Sequence, residues 1–302
     1  MSVEVSISVV IPTHNRLEEL RRAVHSVVKQ SYAAKEIWVI DDGSTEDISI
    51  VQEEFNGYPV FLHRLSEKSN ANVARNKGAE LSSADYIAFL DSDDEWEADH
   101  LLLFVQNIDA QYQGYFGGAK ISRNFGDVPN PKLSKSLSEV HSPMDFLLGG
   151  GFAQTSSFII ERTSFLQCRF DPMLKRHQDF DFFVRFYQQF RWKQLEHHSV
   201  VVHWEEGRTI TRDATSEMVV MRKYRDIIDS KLYHRYLFIQ YDYFLKQGQL
   251  QFLSLYQNEL PYIAELISFP SFRAFHQEKK GIVGKLQMVV LFAYLKLKAA
   301  WI

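Results

Sequence analysis

Short unbroken apolar runs and helically spaced apolar residues alternate through the first third of the chain. Residues 7–11 form an apolar, β-rich run closed by Pro12-Thr13-His14-Asn15. Leu17, Leu20, Val24, Val27 and Val28 then share one face of a helix predicted from Leu17 to about Gln30. Asn15 is its expected N-cap, with Glu18 in the capping-box position. Residues 36–40 are a second strand that closes on Asp41-Asp42-Gly43-Ser44-Thr45, and another helix starts around Asp47. Residues 60–65 are a third strand, and residues 72–81 a helix feeding a fourth strand at 86–90. That last run, Tyr-Ile-Ala-Phe-Leu, has the unbroken apolar character of a strand buried on both faces of a parallel sheet. The β-α-β-α-β-α-β order predicts an α/β fold built on a doubly wound, mostly parallel sheet.

Beyond it the pattern changes. Residues 115–122 form a strand past Gly117-Gly118, and residues 123–142 are polar, with Pro129 and Pro131, as in a long loop over a site. Gly149-Gly150-Gly151 precedes residues 152–160, and either a close approach to a ligand or an ordinary turn accounts for it. Phe180, Phe183, Val184, Tyr187 and Phe190 recur at helical spacing, giving a helix with one buried face. On it Asp179 and Asp181 point to different sides. Residues 199–204 are a last strand. From about Ser216 strand signals stop. Residues 217–246 should be mostly helical, Pro261 and Pro270 interrupt the next stretch, and residues 282–301 form a final helix, apolar nearly all round. Such a helix either packs on others or lies at a membrane surface with its lysines reaching water. The expected organisation is an α/β domain over 1–215 and a helical extension over 216–302.

Composition narrows the class. The 302 residues include 23 Phe and 14 Tyr, ample for a large core, and the net charge of −4 argues against nucleic-acid binding. One cysteine, Cys168, excludes an intramolecular disulfide framework and fits a reducing compartment. The first residues lack a signal-peptide pattern, and the longest apolar run, 288–295, is too short for a bilayer. The expectation is a cytoplasmic protein, or one held peripherally at the inner face of the plasma membrane.

Chemistry gathers at the predicted strand ends, where open α/β sheets bind ligands. Strand four stops at Asp91, Asp93 and Asp94, with Glu95 and Glu97 behind. Hard oxygen ligands on a tight turn suit Mg²⁺ or Mn²⁺ and, through it, a diphosphate. The competing reading is a solvated acidic turn capping a helix that starts near Glu97. Neither Gly-x-Gly-x-x-Gly nor a Walker sequence comes after strand one.

Four segments together, Ser8-Val-Val-Ile-Pro-Thr-His-Asn-Arg16, Ile40-Asp-Asp-Gly-Ser-Thr45, Ala74-Arg-Asn-Lys-Gly78 and Phe89-Leu-Asp-Ser-Asp-Asp94, resemble the family 2 glycosyltransferases, in order and spacing, from about residue 6 to about residue 210. These are inverting enzymes of GT-A fold that use nucleotide sugars. The resemblance implies that Pro12, Thr13, Asn15, Asp41, Arg75, Asp91 and Ser92 bind the nucleotide sugar. Thr13 and Asp41 would contact base and ribose, and Arg75 would lie beside the nucleotide. Asp93 would ligate the metal directly, Asp91 would face the ribose or a metal-bound water, and His203 would be a further metal or diphosphate ligand. Asp179 matches the family's general base, although Gln178 stands where the family has Glu. Each has a structural rival: Thr13 closing a strand, Asp42 capping a helix, Arg75 in a surface ion pair, Asp179 as an N-cap, His203 packed beside Trp204. Asp181 is the reserve base.

The implied function is Mn²⁺- or Mg²⁺-dependent inverting transfer from a nucleotide sugar, by resemblance a UDP-sugar, to a glycan or lipid-linked glycan acceptor. The setting would be bacterial surface polysaccharide such as lipopolysaccharide or capsule. Two rivals remain: a non-catalytic sugar-nucleotide or glycan-binding module, and a nucleotidyltransferase, whose basic glycine-rich loop is missing.

Overall fold

A computed structural model describes residues 5–123, 129–132, 134–204 and 213–260. The chain forms two units, Met1–Ser216 and Glu217–Ile302. In the first, β1 (Ile7–Thr13), α1 (Leu17–Val28), β2 (Glu36–Asp41), α2 (Ile50–Glu54), β3 (Val60–Arg64), α3 (Ala71–Leu81) and β4 (Tyr86–Phe89) keep the expected alternation. Then come β5 (Glu95–Trp96), α4 (His100–Gln106), β6 (Gly114–Ser122), β7 (Asn130–Pro131) and α5 (Pro143–Leu148). The unit continues with β8 (Ile159–Glu161), α6 (Arg162–Cys168), α7 (Gln178–Gln189) and β9 (Trp192–His203).

One sheet runs through it in the order β3-β2-β1-β4-β8-β6-β9-β5, with β7 beside β6. Strands β1 to β4, β6 and β9 point one way, while β5, β7 and β8 point the other. The apolar runs explain the centre: Ile7, Val9, Ile11 and Ala88 are fully buried, as are Leu20, Ala23 and Val24 of α1, packed against them. Gly78 brings α3 close to β1, since a Cβ there would stand 2.4 Å from Val10 Cγ1. The carboxyl ends of β1, β2 and β4 therefore open on one edge, above helices that cannot shift without disturbing the core.

Local expectations failed where side chains had better partners. Asn15 does not cap α1. It sits at φ 51°, Arg16 takes the cap position without a side-chain bond, and Asn15 Oδ1 accepts from Thr45 N at 2.7 Å. The helix after the acidic turn starts at His100, three residues beyond Glu97. Glu95 and Trp96 pair with β9, and the helix waits until His100 because Trp96 is drawn into the core. Its indole stacks on His100 with centroids 4.4 Å apart and donates Nε1–H to Ser156 O at 2.7 Å. The buried face of α7 is carried by Asp181, Phe182, Phe183, Val184 and Phe186, leaving Tyr187 exposed. Trp192 accounts for the shift: Phe183 stacks on it at 5.0 Å and Phe186 packs against it at 4.6 Å. Glycines 149–151 end α5 and fit beneath it: Gly150 has φ 106°, and a Cβ on Gly151 would meet the Phe146 ring at 2.4 Å.

Helices α8 (Ala214–Lys223), α9 (Ser230–Lys246) and α10 (Leu253–Gln257) complete the described chain. Residues 217–246 are mostly helical as expected, with a tight turn at Arg225–Ile227 between α8 and α9. Asp229 then caps α9, accepting from Lys231 N at 3.0 Å and Leu232 N at 3.1 Å. In the second unit Phe244 of α9 stacks on Tyr256 of α10 at 5.7 Å. The segment 205–211, Pro261, Pro270 and the helix expected over 282–301 lie outside the described residues. Among those described, no helix is long and apolar enough to cross a membrane.

Candidate active site

The ends of β1 and β2 build one wall. Pro12 pairs in register with Ile40, and Thr13 with Asp41. Thr13 and Asp41 are buried, and Thr13 Oγ1 has no hydrogen-bond partner among the described residues. Asp41 Oδ1 accepts from Ser44 N at 2.8 Å, and Oδ2 lies 3.6 Å from Arg64 Nη1. Asp42 does not cap the next helix: its Oδ1 accepts from Ser69 N at 2.6 Å and ties the β2 loop to the approach to α3. Asn15, by reaching Thr45, closes the loops after β1 and β2 on each other.

The acidic turn after β4 forms the floor, and its carboxylates face different ways. Asp91 Oδ1 lies 2.5 Å from Arg75 Nη2. Arg75 is no surface ion pair. It is 3 % exposed, and its guanidinium sits 5.2 Å from the centroid of the Phe170 ring. Ser92 is buried, while Asp93 stays partly open, its Oδ2 2.7 Å from Arg16 Nη1 and its carbonyl accepting from Arg22 Nη2 at 3.0 Å. Asp94 turns inward. It accepts from Ser156 Oγ at 2.6 Å and Gln154 Nε2 at 3.1 Å, and from the His203 backbone N–H. Burial, then the charges of Asp93 and Asp91, push its carboxyl well above the usual range. His203 Nε2 lies 2.7 Å from Glu95 Oε1, at the end of β9 beside this turn.

Asp179 lies in the first turn of α7. It is not the N-cap: His177 holds that position at φ 56°, and Asp179 Oδ1 accepts from Phe180 N at 3.0 Å. Burial pushes its carboxyl up, against the pull of that backbone bond and of the Arg75 and Arg176 charges. Arg75 is thus bonded to Asp91 and acts electrostatically on Asp179. Three asparagines of α3 and its cap hold the chain that delivers α7. Asn70 Nδ2 donates to Pro172 O at 2.8 Å, and Asn72 Nδ2 to Leu174 O at 2.7 Å. Asn76 both donates to Phe170 O at 2.8 Å and accepts from Phe170 N at 3.0 Å. Asp181 is fully buried at 2.7 Å from Arg185 Nε, whose guanidinium also donates to Arg169 O at 2.8 Å.

Sequence reasoning did not find Arg16, Arg22, Gln154, Ser156 or the asparagine clamp. Arg16 lay inside a recognised motif and was readable; Gln154 and Ser156 meet Asp94 only through the pairing of β8 with β4.

Among the described residues no three of His, Cys, Asp and Glu converge into a ready-made metal cage. A small hard cation such as Mg²⁺ binds through one or two carboxylate oxygens and completes its shell with phosphates and water. Asp91 and Asp93 supply such oxygens, and the residues fit Mg²⁺ or Mn²⁺.

The α/β unit, a mostly parallel sheet whose strand ends carry a buried carboxylate, an acidic turn and an arginine, has a GT-A-type fold. The family model for "Glycosyl transferase family 2" matches residues 8–170, and the chain belongs to that family. It is 31% identical over 193 residues to the amylovoran biosynthesis glycosyltransferase AmsB of Erwinia amylovora, covering 60% of this chain and 64% of that one. It is 32% identical over 149 residues to the GalNAc(5)-diNAcBac-PP-undecaprenol β-1,3-glucosyltransferase of Campylobacter jejuni, covering 47% of each. The chain thus spans less than two thirds of either relative. Among solved structures, S. aureus TarS 1-349 in complex with UDP-GlcNAc shares the fold with a TM-score of 0.60 at 21% identity, covering 72% of this chain and 65% of that one.

Proposed function

We propose that this protein is an inverting glycosyltransferase that moves a sugar from a UDP-sugar to a glycan or lipid-linked glycan in bacterial surface polysaccharide synthesis. The observation that carries the reading is the placement of Arg75, bonded to Asp91 and within electrostatic reach of Asp179. It puts a nucleotide-side carboxylate and a candidate base within reach of one buried cation. The donor class draws on TarS, whose structure holds UDP-GlcNAc. The acceptor class draws on the Campylobacter relative, whose name specifies an undecaprenol-linked glycan.

In this reading Thr13 Oγ1 and Asp41 bind base and ribose, helped by the Pro12 and Asn15 backbone turn, and Asp91 and Ser92 line the diphosphate side. Asp93, with His203 nearby, would hold a Mg²⁺ or Mn²⁺ ion, which supplies positive charge to the departing diphosphate. Asp179 takes the proton from the acceptor hydroxyl as its oxygen attacks the anomeric carbon. Attack comes from the face opposite the nucleotide, so the carbon inverts through an oxocarbenium-like state. Arg75 steadies Asp179 as a carboxylate against the desolvation that would protonate it. Asp181, locked to Arg185, is not free for this work. A membrane-bound acceptor would bring the protein to the inner face of the membrane.

The test compares wild type with Asp179→Asn for UDP binding and for sugar transfer to lipid-linked acceptors. Binding kept and transfer lost supports the reading. Full transfer by Asp179→Asn removes the base assignment, and donor binding without transfer by wild type on any acceptor turns the reading toward a binding module.

A further inference from the structure

We propose that Arg16 is a resident counter-ion of Asp93 that must give way to the divalent cation, so that metal and diphosphate bind as a coupled pair. The inference rests on the reading of the acidic turn as the cation site. Arg16 Nη1 lies 2.7 Å from Asp93 Oδ2, and the two side chains are 36 % and 19 % exposed. A divalent cation taken on that oxygen would stand close to the guanidinium, and the two positive charges repel each other.

Arg16 is the arginine of the cluster able to leave. Arg75 is buried under Phe170 and bonded to Asp91. Arg22 holds the Asp93 carbonyl at 3.0 Å and Glu95 at 3.1 Å, so the turn keeps its shape whichever cation its carboxylate meets. Arg16 occupies the cap position of α1 but makes no side-chain cap bond, so releasing it removes nothing the helix depends on. Its long stem and open position let the charged end swing a few ångströms at little cost.

The consequence is asymmetric. A metal ion arriving alone displaces Arg16 into solvent and forfeits an ion pair. When a diphosphate arrives with the metal, the freed guanidinium gains a planar, bidentate anionic partner in exchange. Metal alone should therefore bind weakly, and nucleoside diphosphate should strengthen it. A structural rival makes Arg16 a simple surface ion pair, worth little in either state.

The experiment is electron paramagnetic resonance of free Mn²⁺ titrated with the full chain, with and without UDP, for wild type, Arg16→Gln, Arg16→Lys and Asp93→Asn. We expect Arg16→Gln to bind Mn²⁺ alone about fivefold more tightly than wild type, the scale of an exposed ion pair. UDP should then strengthen Mn²⁺ binding less in that variant than in wild type. Arg16→Lys, which keeps the charge, should stay near wild type. If Arg16→Gln matches wild type in both titrations while Asp93→Asn loses Mn²⁺, the counter-ion role is overturned and the cation site stands. If Asp93→Asn binds Mn²⁺ as wild type does, or no form binds it, the cation site itself is wrong and the inference falls with it.

Discussion

Asp179 and Asp181 are two residues apart on one helix, and their surroundings give them different work. Asp181 is fully buried against Arg185, a paired charge of the core. Asp179 instead takes a backbone bond from Phe180, and burial raises its carboxyl while Arg75 and Arg176 pull it back. Asp179→Asn is expected to lower turnover by about 10²–10⁴-fold, the usual contribution of a positioned base, with UDP binding little changed in calorimetry. Because the active form is the carboxylate, wild-type kcat/KM should rise with pH through an apparent pKa above the ordinary range for aspartate. Stability responds in the opposite direction. A carboxyl whose folded pKa is raised contributes stability below its unfolded pKa and loses it as pH climbs through the folded pKa, so ionising Asp179 costs the fold. Asp179→Asn should therefore melt no lower than wild type at pH 7, and a clearly lower melting temperature would argue that Asp179 is structural.

Among the elements, α3 does two jobs: Gly78 presses it to β1, and its asparagines hold the segment that leads to α7. Asn76→Ala removes both bonds to Phe170 and leaves a part-buried backbone N–H and C=O without their partner, which should cost about 1–3 kcal/mol in urea denaturation. Since Asp179 rides on that segment, kcat should fall as well. Gly78→Ala forces a Cβ against Val10 and should cost about 1–3 kcal/mol. Strands β1, β2 and β4 were legible because a strand buried on both faces leaves an unbroken apolar run, and so were the acids at their ends. The turn chemistry between them was not. Asn15 has the composition of an N-cap, yet its side chain finds Thr45 on a neighbouring loop. Trp96 comes after a run of acids that reads as solvent-facing, yet β9 and Ser156 bury it. Both outcomes depend on residues far away in sequence, which local periodicity cannot register. Arg22 escaped for the same reason, since nothing along the chain says which carbonyl or carboxylate a guanidinium will meet.

The whole α/β unit also carries a pH liability away from the site. His100 is buried between Trp96 and Ser199, whose Oγ lies 2.7 Å from its Nδ1. Burial, and then the nearby His197, lower its pKa from 6.5 to about 3. Between those values the unfolded chain takes up a proton that the folded chain refuses, so stability present above pH 6.5 drains as pH falls. The loss should be about 2 kcal/mol by pH 5, at about 1.4 kcal/mol per pH unit. Denaturation at pH 7.5 and pH 5 should show it, and His100→Phe should flatten the difference. Whether the acidic turn is a nucleotide and metal site is decided by calorimetric titration of UDP with Mn²⁺ or with EDTA, on wild type and Asp93→Asn. Wild type should bind tightly, EDTA should abolish that binding, and Asp93→Asn should greatly weaken it. Binding unaffected by EDTA or by Asp93→Asn would mean that the turn holds no such metal.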